Sequence, residues 1–360
     1  CTIMKNMKKV GILTFHFSNH NYGAVLQAFA SYVILKKYGY SPTIINLLPV
    51  KDNTIKSFFK SFLTGSIKFE LFRKRYLKQT KKIFTLENLR KLNEYFDIFY
   101  VGSDQIWRPS MAKSLLEHYF LDFVDEEKIK ISYAVSFGIN EWNEDEKLTN
   151  SIKYLISRFD KVLVREIQGV EICSNKFNIK AECVLDPTLL LSKDDYVELF
   201  NLKDRNKKSK FIGIYLLSDK ELKGDISKKI NSQLCAPHIN MYGNIINLFG
   251  FNIFHFNHVR TWLNHILNSE LIITDSFHCM VFSIIFKRNF IIINNKYRGN
   301  NRILNLLEPL NLMSRFCEKP ETFDLTKYLT PIDFDSISIK LSKEITNSIT
   351  LLLRGLNQTI

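Results

Sequence analysis

No apolar run in this chain reaches the roughly 18 residues that a membrane-crossing helix needs. Glycine (13) and proline (8) are sparse among 360 residues, and no low-complexity segment appears, so a disordered or fibrous chain is excluded. The six cysteines, Cys1, Cys173, Cys183, Cys235, Cys279 and Cys317, form no CxxC pair and show no metal-ligand spacing. Structural zinc is therefore not expected, and free thiols in a reducing cytoplasm are the simplest reading. The phosphate-loop patterns GxGxxG and GxxxxGK(S/T) are missing, and so is the GxSxG elbow, which removes support for a dinucleotide dehydrogenase or a P-loop NTPase. The first nine residues hold too few apolar side chains for a secretory signal, with Met4 and Met7 as alternative starts.

What is present suits a globular α/β protein. Hydrophobic residues make up 46% and aromatics 13% of a chain about twice the usual domain length, enough for two packed cores. The net charge of +14 points to anionic partners, although a chain rich in Lys, Asn and Ile also reflects AT-biased coding. The excess concentrates in residues 51–91, with twelve Lys or Arg against three Asp or Glu, interleaved with Phe58, Phe59, Phe62, Phe69, Phe72 and Tyr76. Spacings of 58/62 and 69/72/76 fit a helix with an apolar face and a basic face. Such a segment either makes peripheral contact with an anionic membrane or packs its apolar face on a core. No reader motif accompanies it, so nucleic acid is not an expected partner.

Along the chain, buried-strand runs alternate with helical spacing. Val10–Phe15 reads as a strand, a polar loop follows, and Ala24–Lys37 reads as a helix before the strand Ser41–Leu47. Further strands are expected at 95–101, 129–135, 161–164 and 183–185, then at 211–217, 253–256, 271–274 and 290–293. Amphipathic helices are expected at 148–159 and 337–353. This order predicts two Rossmann-like domains facing a central cleft, a doubly wound α/β architecture. The first would comprise residues 1–190 with the C-terminal helix 337–360 returning to it, and the second 191–336. Polar or glycine-containing tips follow the apolar strands repeatedly, as a ligand-binding sheet edge requires.

The most informative tip is Thr274-Asp275-Ser276-Phe277-His278-Cys279, at a strand-to-helix junction. A helix start there favours anions, although a capping Ser or Asp beside an ordinary His would look alike. Together with Asn21-Tyr22-Gly23-Ala24-Val25-Leu26-Gln27, Val101–Trp107, Ser132–Gly138, Val164-Arg165-Glu166 and Val184–Thr188, it resembles the polysaccharide pyruvyl transferases, with the motifs in the same order from Val10 to about Leu312. The chain departs from many members at Cys279, where Gly is frequent, and at Ser276, where some members carry a basic residue.

The resemblance implies a GT-B-like fold and transfer of a pyruvyl group from phosphoenolpyruvate to two hydroxyls of a sugar, forming a cyclic ketal. No cofactor is implied beyond that co-substrate. The acceptor would be a sugar or lipid-linked oligosaccharide of a surface polysaccharide at the cytoplasmic face. Histidine suits proton transfer, so His278 is the expected acid/base or phosphate contact, with Asp104 as acceptor base. Arg165, Arg298 and Arg302 are expected to hold the anionic donor beside Ser276. Asn21, Tyr22, Gly23, Gln27, Gln105 and Trp107 are the expected acceptor contacts, through amides, close backbone approach and a stacking ring. A GT-B glycosyltransferase using a nucleotide sugar, and a non-catalytic glycan-binding relative, are the alternatives.

Overall fold

The structure is a computed structural model that describes residues 7–49, 61, 63–204, 211–217, 220–234, 237–248, 250–295 and 300–356. The chain divides into two compact units, residues 1–52 with 71–190 and 343–360, and residues 53–70 with 191–342. Of the described residues before Leu71, 61 and 63–70 group with the second unit.

The first unit is built on a six-stranded sheet in the order β2-β1-β3-β4-β5-β6, from β1 (Lys9–Leu13), β2 (Ser41–Ile44), β3 (Ile98–Val101), β4 (Ile129–Val135), β5 (Lys161–Val164) and β6 (Glu182–Cys183). Every pairing is parallel. The apolar residues of β1 and β3 are buried on both faces, which is why these strands read as continuous hydrophobic runs rather than alternating ones. Between β1 and β2 runs the helix Tyr22–Lys37, whose N-cap Asn21 accepts a hydrogen bond from the Ala24 N–H. Near the C-terminal end of β4 the register shifts and Ala134 takes φ 52°, a bulge that redirects the chain toward Ser136. The end of the long helix Phe334–Gly355 packs in this unit, where Ser348 Oγ accepts from the Leu185 N–H.

The second unit repeats the plan with a five-stranded sheet ordered β13-β12-β11-β7-β8. Its strands are β7 (Ile212–Tyr215), β8 (His238–Asn240), β11 (Leu271–Thr274), β12 (Asn289–Ile293) and β13 (Phe316–Cys317), again all parallel. Counted within each unit, the sheets read 2-1-3-4-5-6 and 2-1-3-4-5, so each has a point where the winding direction reverses, between β1 and β3 and between β7 and β11. A separate antiparallel hairpin, β9 (Gly243–Leu248) with β10 (Phe251–Phe256), stands beside the second sheet's strand sequence; only its latter strand was legible from the residues.

In the 51–91 segment, Phe58, Phe59 and Phe62 lie outside the described residues. Phe69 and Phe72 lie in the helix Ile67–Tyr76 and are buried. Phe69 packs edge-on against Phe256 and Phe72 against Phe29, so this apolar face is covered by protein and is not available to a bilayer.

Past β1 the chain turns inward at His16, which is fully buried. Its Nδ1 lies 3.0 Å from Thr14 O and its Nε2 3.0 Å from Asn46 Oδ1. Burial, aided by the charge of Arg73, lowers its pKa from 6.5 to about 4. The unfolded chain therefore takes up the proton first, and the stability this group contributes is complete above pH 6.5 and is lost as pH falls toward 4. The loss should amount to on the order of 3 kcal/mol across that window. Urea denaturation across this pH range should show the decline in the native chain and a flatter profile in His16→Gln; equal slopes in both would refute the assignment.

Candidate functional site

The carboxyl ends of parallel strands share one edge, so the loops after β1, β3, β4, β5 and β6 meet there. Thr14, just past β1, donates to Ser103 O at 2.6 Å across the reversal point and accepts from Gln27 Nε2 at 2.9 Å. Ser103 Oγ donates to Asp186 Oδ2 at 2.8 Å, and Arg165 Nη1 donates to the same oxygen at 2.9 Å and to Ser103 Oγ at 3.2 Å. The other Asp186 oxygen accepts from Thr188 N–H and hydroxyl, at 3.0 and 2.6 Å. Glu166 Oε1 accepts from Ser136 Oγ at 2.6 Å and from the Gly138 N–H at 3.3 Å, while its Oε2 is 3.9 Å from Arg165 Nε.

Asp104 stands at this edge with φ 94°, a left-handed conformation that costs a non-glycine residue free energy. Its Oδ1 accepts from the next N–H, that of Gln105, at 2.8 Å, and its carbonyl accepts from Ser136 N–H. Gln105 is buried against Gly138, where an added Cβ would sit 2.7 Å from the Gln105 amide carbon; Gly138 also has φ 63°. A side chain there would displace the Gln105 amide and strain the backbone at φ 63°, so glycine suits the position.

In the second unit the equivalent edge is organised by Asp275. Its Oδ1 accepts from the Leu217 N–H past β7 at 2.7 Å, and its Oδ2 from Asn295 Nδ2 past β12 at 2.8 Å. Thr274 donates to Tyr215 O at 2.6 Å and accepts from the Ser276 N–H at 3.0 Å. Ser276 caps the helix Phe277–Ile285, accepting from the Cys279 N–H. His278 occupies the first turn and is 6% exposed. The Arg302 guanidinium lies over the Phe277 ring, 5.8 Å from its centroid. Cys279 is fully buried, and burial holds its thiol well above the usual range, so it is a core residue rather than a nucleophile.

The structure thus brings Ser276, His278 and Arg302 together in one unit, and Asp104, Gln105 and Arg165 to one edge of the other. Arg298 lies outside the described residues. Several acceptor contacts expected from the sequence are instead structural. Trp107 is 0% exposed, donates from Nε1 to Tyr119 O at 2.9 Å and stacks on Phe120 at 4.5 Å, so it presents no free face to a sugar. Tyr22, Gly23 and Gln27 are buried in the first helix, Gln27 holding Thr14, and Asn21 is that helix's cap. Arg165 is itself buried in an ion pair with Asp186. Sequence reasoning passed over Ser103, Glu166, Asp186, Asp275 and Asn295. The first four stood inside the quoted motifs, whereas Asn295 had no local signal. It also missed Arg73, a buried cation of the basic segment that donates to Ser18 O and Asn19 Oδ1 and so fixes the loop after β1. Among the described residues no group of three His, Cys, Asp or Glu side chains is placed to hold a metal ion.

Removing one partner of a buried ion pair strands the other. Asp186→Ala should cost roughly 3–5 kcal/mol, and Arg165→Met combined with Asp186→Leu should recover most of that loss. A urea-denaturation double-mutant cycle reads the coupling, and additive effects would show that the pair does not hold the edge together.

Solved structures resemble the chain over nearly its whole length. S. aureus MnaA with UDP shares 11% identity at a TM-score of 0.51, covering 98% of this chain and 99% of that one. The UDP-N-acetylglucosamine 2-epimerase from Rickettsia bellii shares 9% identity (TM-score 0.47, coverage 98% and 99%), and the glycosyltransferase SnogD from Streptomyces nogalater 10% (0.46, 97% and 99%). At such identities the likeness concerns fold alone, and the fold is of the GT-B type, two Rossmann-like α/β units. No curated protein matches the sequence. The polysaccharide pyruvyl transferase family profile, in contrast, matches residues 21–297, from the cap of the first helix past the Asp275–His278 turn. With most of its length so matched, the chain belongs to the polysaccharide pyruvyl transferase family.

Proposed function

We propose that this chain transfers a pyruvyl group from phosphoenolpyruvate to two hydroxyls of one sugar in a surface-polysaccharide precursor. The observation that carries the reading is the Asp275–His278 turn: in a chain of this family, a His in the first turn of a capped helix, with Arg302 seated on the neighbouring ring. An enol phosphate becomes electrophilic when its methylene carbon is protonated, and His278 is the group assigned to give that proton. The central carbon then carries oxocarbenium character beside the carboxylate. The first hydroxyl attacks it, the carbon–oxygen bond to phosphate breaks with its electron pair leaving on phosphate, and the second hydroxyl closes the ring. Of the two hydroxyl protons, one restores the acid and one leaves on phosphate. Asp104, held at φ 94°, is the proposed acceptor base.

The donor carries about three negative charges, so cations must meet it. The backbone N–H groups at the start of Phe277–Ile285 and the Arg302 guanidinium supply positive potential next to His278. Arg298 is the further cation assigned from the sequence, and Arg165 is already compensated by Asp186. Preorganised donors of this kind stabilise charge as it moves to the leaving phosphate. The reaction calls for no cofactor beyond the co-substrate, and the acceptor is assigned as a sugar or lipid-linked oligosaccharide at the cytoplasmic face.

Thermal-shift titration with phosphoenolpyruvate, nucleotide sugars and inorganic phosphate tests the reading. A ligand at 100 times its Kd adds about 2.7 kcal/mol to the folded state. Phosphoenolpyruvate should stabilise the chain. With an acceptor glycan supplied, His278→Ala should lower phosphate release by about 100-fold or more while the fold persists. Stabilisation by a nucleotide sugar alone would overturn pyruvyl transfer in favour of glycosyl transfer.

A further inference from the structure

Glu166 is a titratable group only 1% exposed, and the proposed reaction does not use it. It stands just past β5, on the edge where the loop carrying Asp104 leaves β3. Asp104 is half-buried, so part of it is open to a ligand, whereas Glu166 is covered. Glu166 therefore acts through its neighbours. Those neighbours belong to the turn after β4, and the same turn grips the Asp104 loop.

Ser136 is the link. Its N–H donates to Asp104 O at 3.0 Å and its carbonyl accepts from the Trp107 N–H at 3.3 Å, so its backbone holds the 104–107 loop at both ends. Asp104 also forms an isolated parallel bridge with Val135. The ladder of β4 is interrupted here: its register against β5 shifts between Ser132 and Val135, and Ala134 takes φ 52°. Two kinds of contact re-anchor the turn to the end of β5. The Arg165 N–H donates to Val135 O at 2.9 Å, and Glu166 Oε1 accepts from Ser136 Oγ at 2.6 Å and from the Gly138 N–H at 3.3 Å. Gly138 packs on Gln105, whose Oε1 accepts from Arg108 Nη1 at 3.1 Å. The two residues that Glu166 binds are thus the two that meet Asp104 and Gln105.

We propose that Glu166 is the positioning residue for Asp104, its carboxylate holding the 104–105 loop in place through Ser136 and Gly138. A non-glycine residue at φ 94° persists only where its surroundings over-determine it. Backbone bonds from Ser136 supply that constraint, and Glu166 fixes Ser136. Hydrogen bonds to a carboxylate are stronger than neutral ones, and a low-dielectric interior strengthens them further. The second oxygen, Oε2, lies 3.9 Å from Arg165 Nε, which sets the plane of the carboxylate and turns Oε1 toward the turn. The role of Glu166 in turnover rests on Asp104 being the acceptor base, but its hold on the loop can be read without any reaction.

Hydrogen–deuterium exchange on the full chain makes that reading. In Glu166→Ala the N–H groups of Gln105, Trp107, Ser136 and Gly138 should exchange at least about tenfold faster, while those of β1 and β3 keep their native rates. Glu166→Gln keeps an oxygen for Ser136 and Gly138 and should restore most of the protection. Ser136→Ala removes only the hydroxyl link and should loosen the same loop, which keeps the test open if Glu166→Ala fails to fold. Unchanged loop exchange, or acceleration spread equally over β1 and β3, overturns the proposal. With phosphoenolpyruvate and an acceptor glycan, Glu166→Ala should lower kcat by about 100-fold, as misplacement of a reacting group does. Its KM for phosphoenolpyruvate should stay within about twofold of native, and Glu166→Gln should recover most of the rate. Native turnover in Glu166→Ala beside an impaired Asp104→Asn also overturns the proposal. Native turnover in Asp104→Asn with a loosened loop in Glu166→Ala instead overturns Asp104 as the base and supports the hold of Glu166 on its loop.

Discussion

Parallel strands that end side by side leave their last carbonyls and the next N–H groups without ladder partners, and buried backbone of this kind must be satisfied from elsewhere. In the first unit Asp186 satisfies the Thr188 N–H of its own turn and ties in two further loops through their side chains, accepting from Ser103 Oγ after β3 and Arg165 Nη1 after β5. Two charges share that buried environment, so the carboxylate fixes Arg165 while Arg165 keeps the carboxylate tolerable. In the second unit Asp275 performs the neutral version, accepting from the Leu217 N–H and the Asn295 amide. The residues that follow, Glu166 and Asp104 in one unit and Ser276 and His278 in the other, inherit their positions from these two carboxylates.

The parallel sheets were legible because a strand buried on both faces writes itself as an unbroken apolar run. Val10–Leu13, Ile98–Val101 and Leu271–Thr274 needed no tertiary information. The tips were legible as polar clusters, but their division of labour was not. Trp107 and Asp104 are neighbours in one motif; one became core, packed by Phe120, Phe137 and Phe159 and bonded to Tyr119 O, and the other took a strained backbone at the edge. Arg165 looked like an anion clamp because nothing local announced that Asp186, distant along the chain, would pair with it. Likewise, Lys68 and Phe69 joined the second unit through Phe256, a contact with no trace in the local pattern.

The basic excess also divides once contacts are known. Arg73 is buried, and its guanidinium holds the loop between β1 and the first helix. Lys68 is bound to the hairpin base, and burial lowers its pKa. A cation that spends its hydrogen bonds on backbone carbonyls contributes less to an outside partner than its formal charge suggests. The amphipathic spacing of Phe69 and Phe72 was a true helical signal whose apolar side met protein.

Ser276 is the position where the chain departs from relatives that carry a basic residue before the His, and its geometry explains how the departure is absorbed. A serine there closes the helix start, receiving the Cys279 N–H, which a long cationic side chain would not do as well. Capping draws one backbone donor away from any ligand, while the remaining N–H groups of the first turn stay oriented outward along the helix axis. Under the proposed reaction, the positive charge that a basic residue would bring is assigned to another segment, to Arg302, whose guanidinium lies 5.8 Å from the ring centroid of Phe277, one residue from His278. A planar guanidinium suits bidentate recognition of phosphate or carboxylate. Under the proposed reaction, helix start and arginine act on the same anion from two elements of one unit, so the serine changes the source of the charge without removing it.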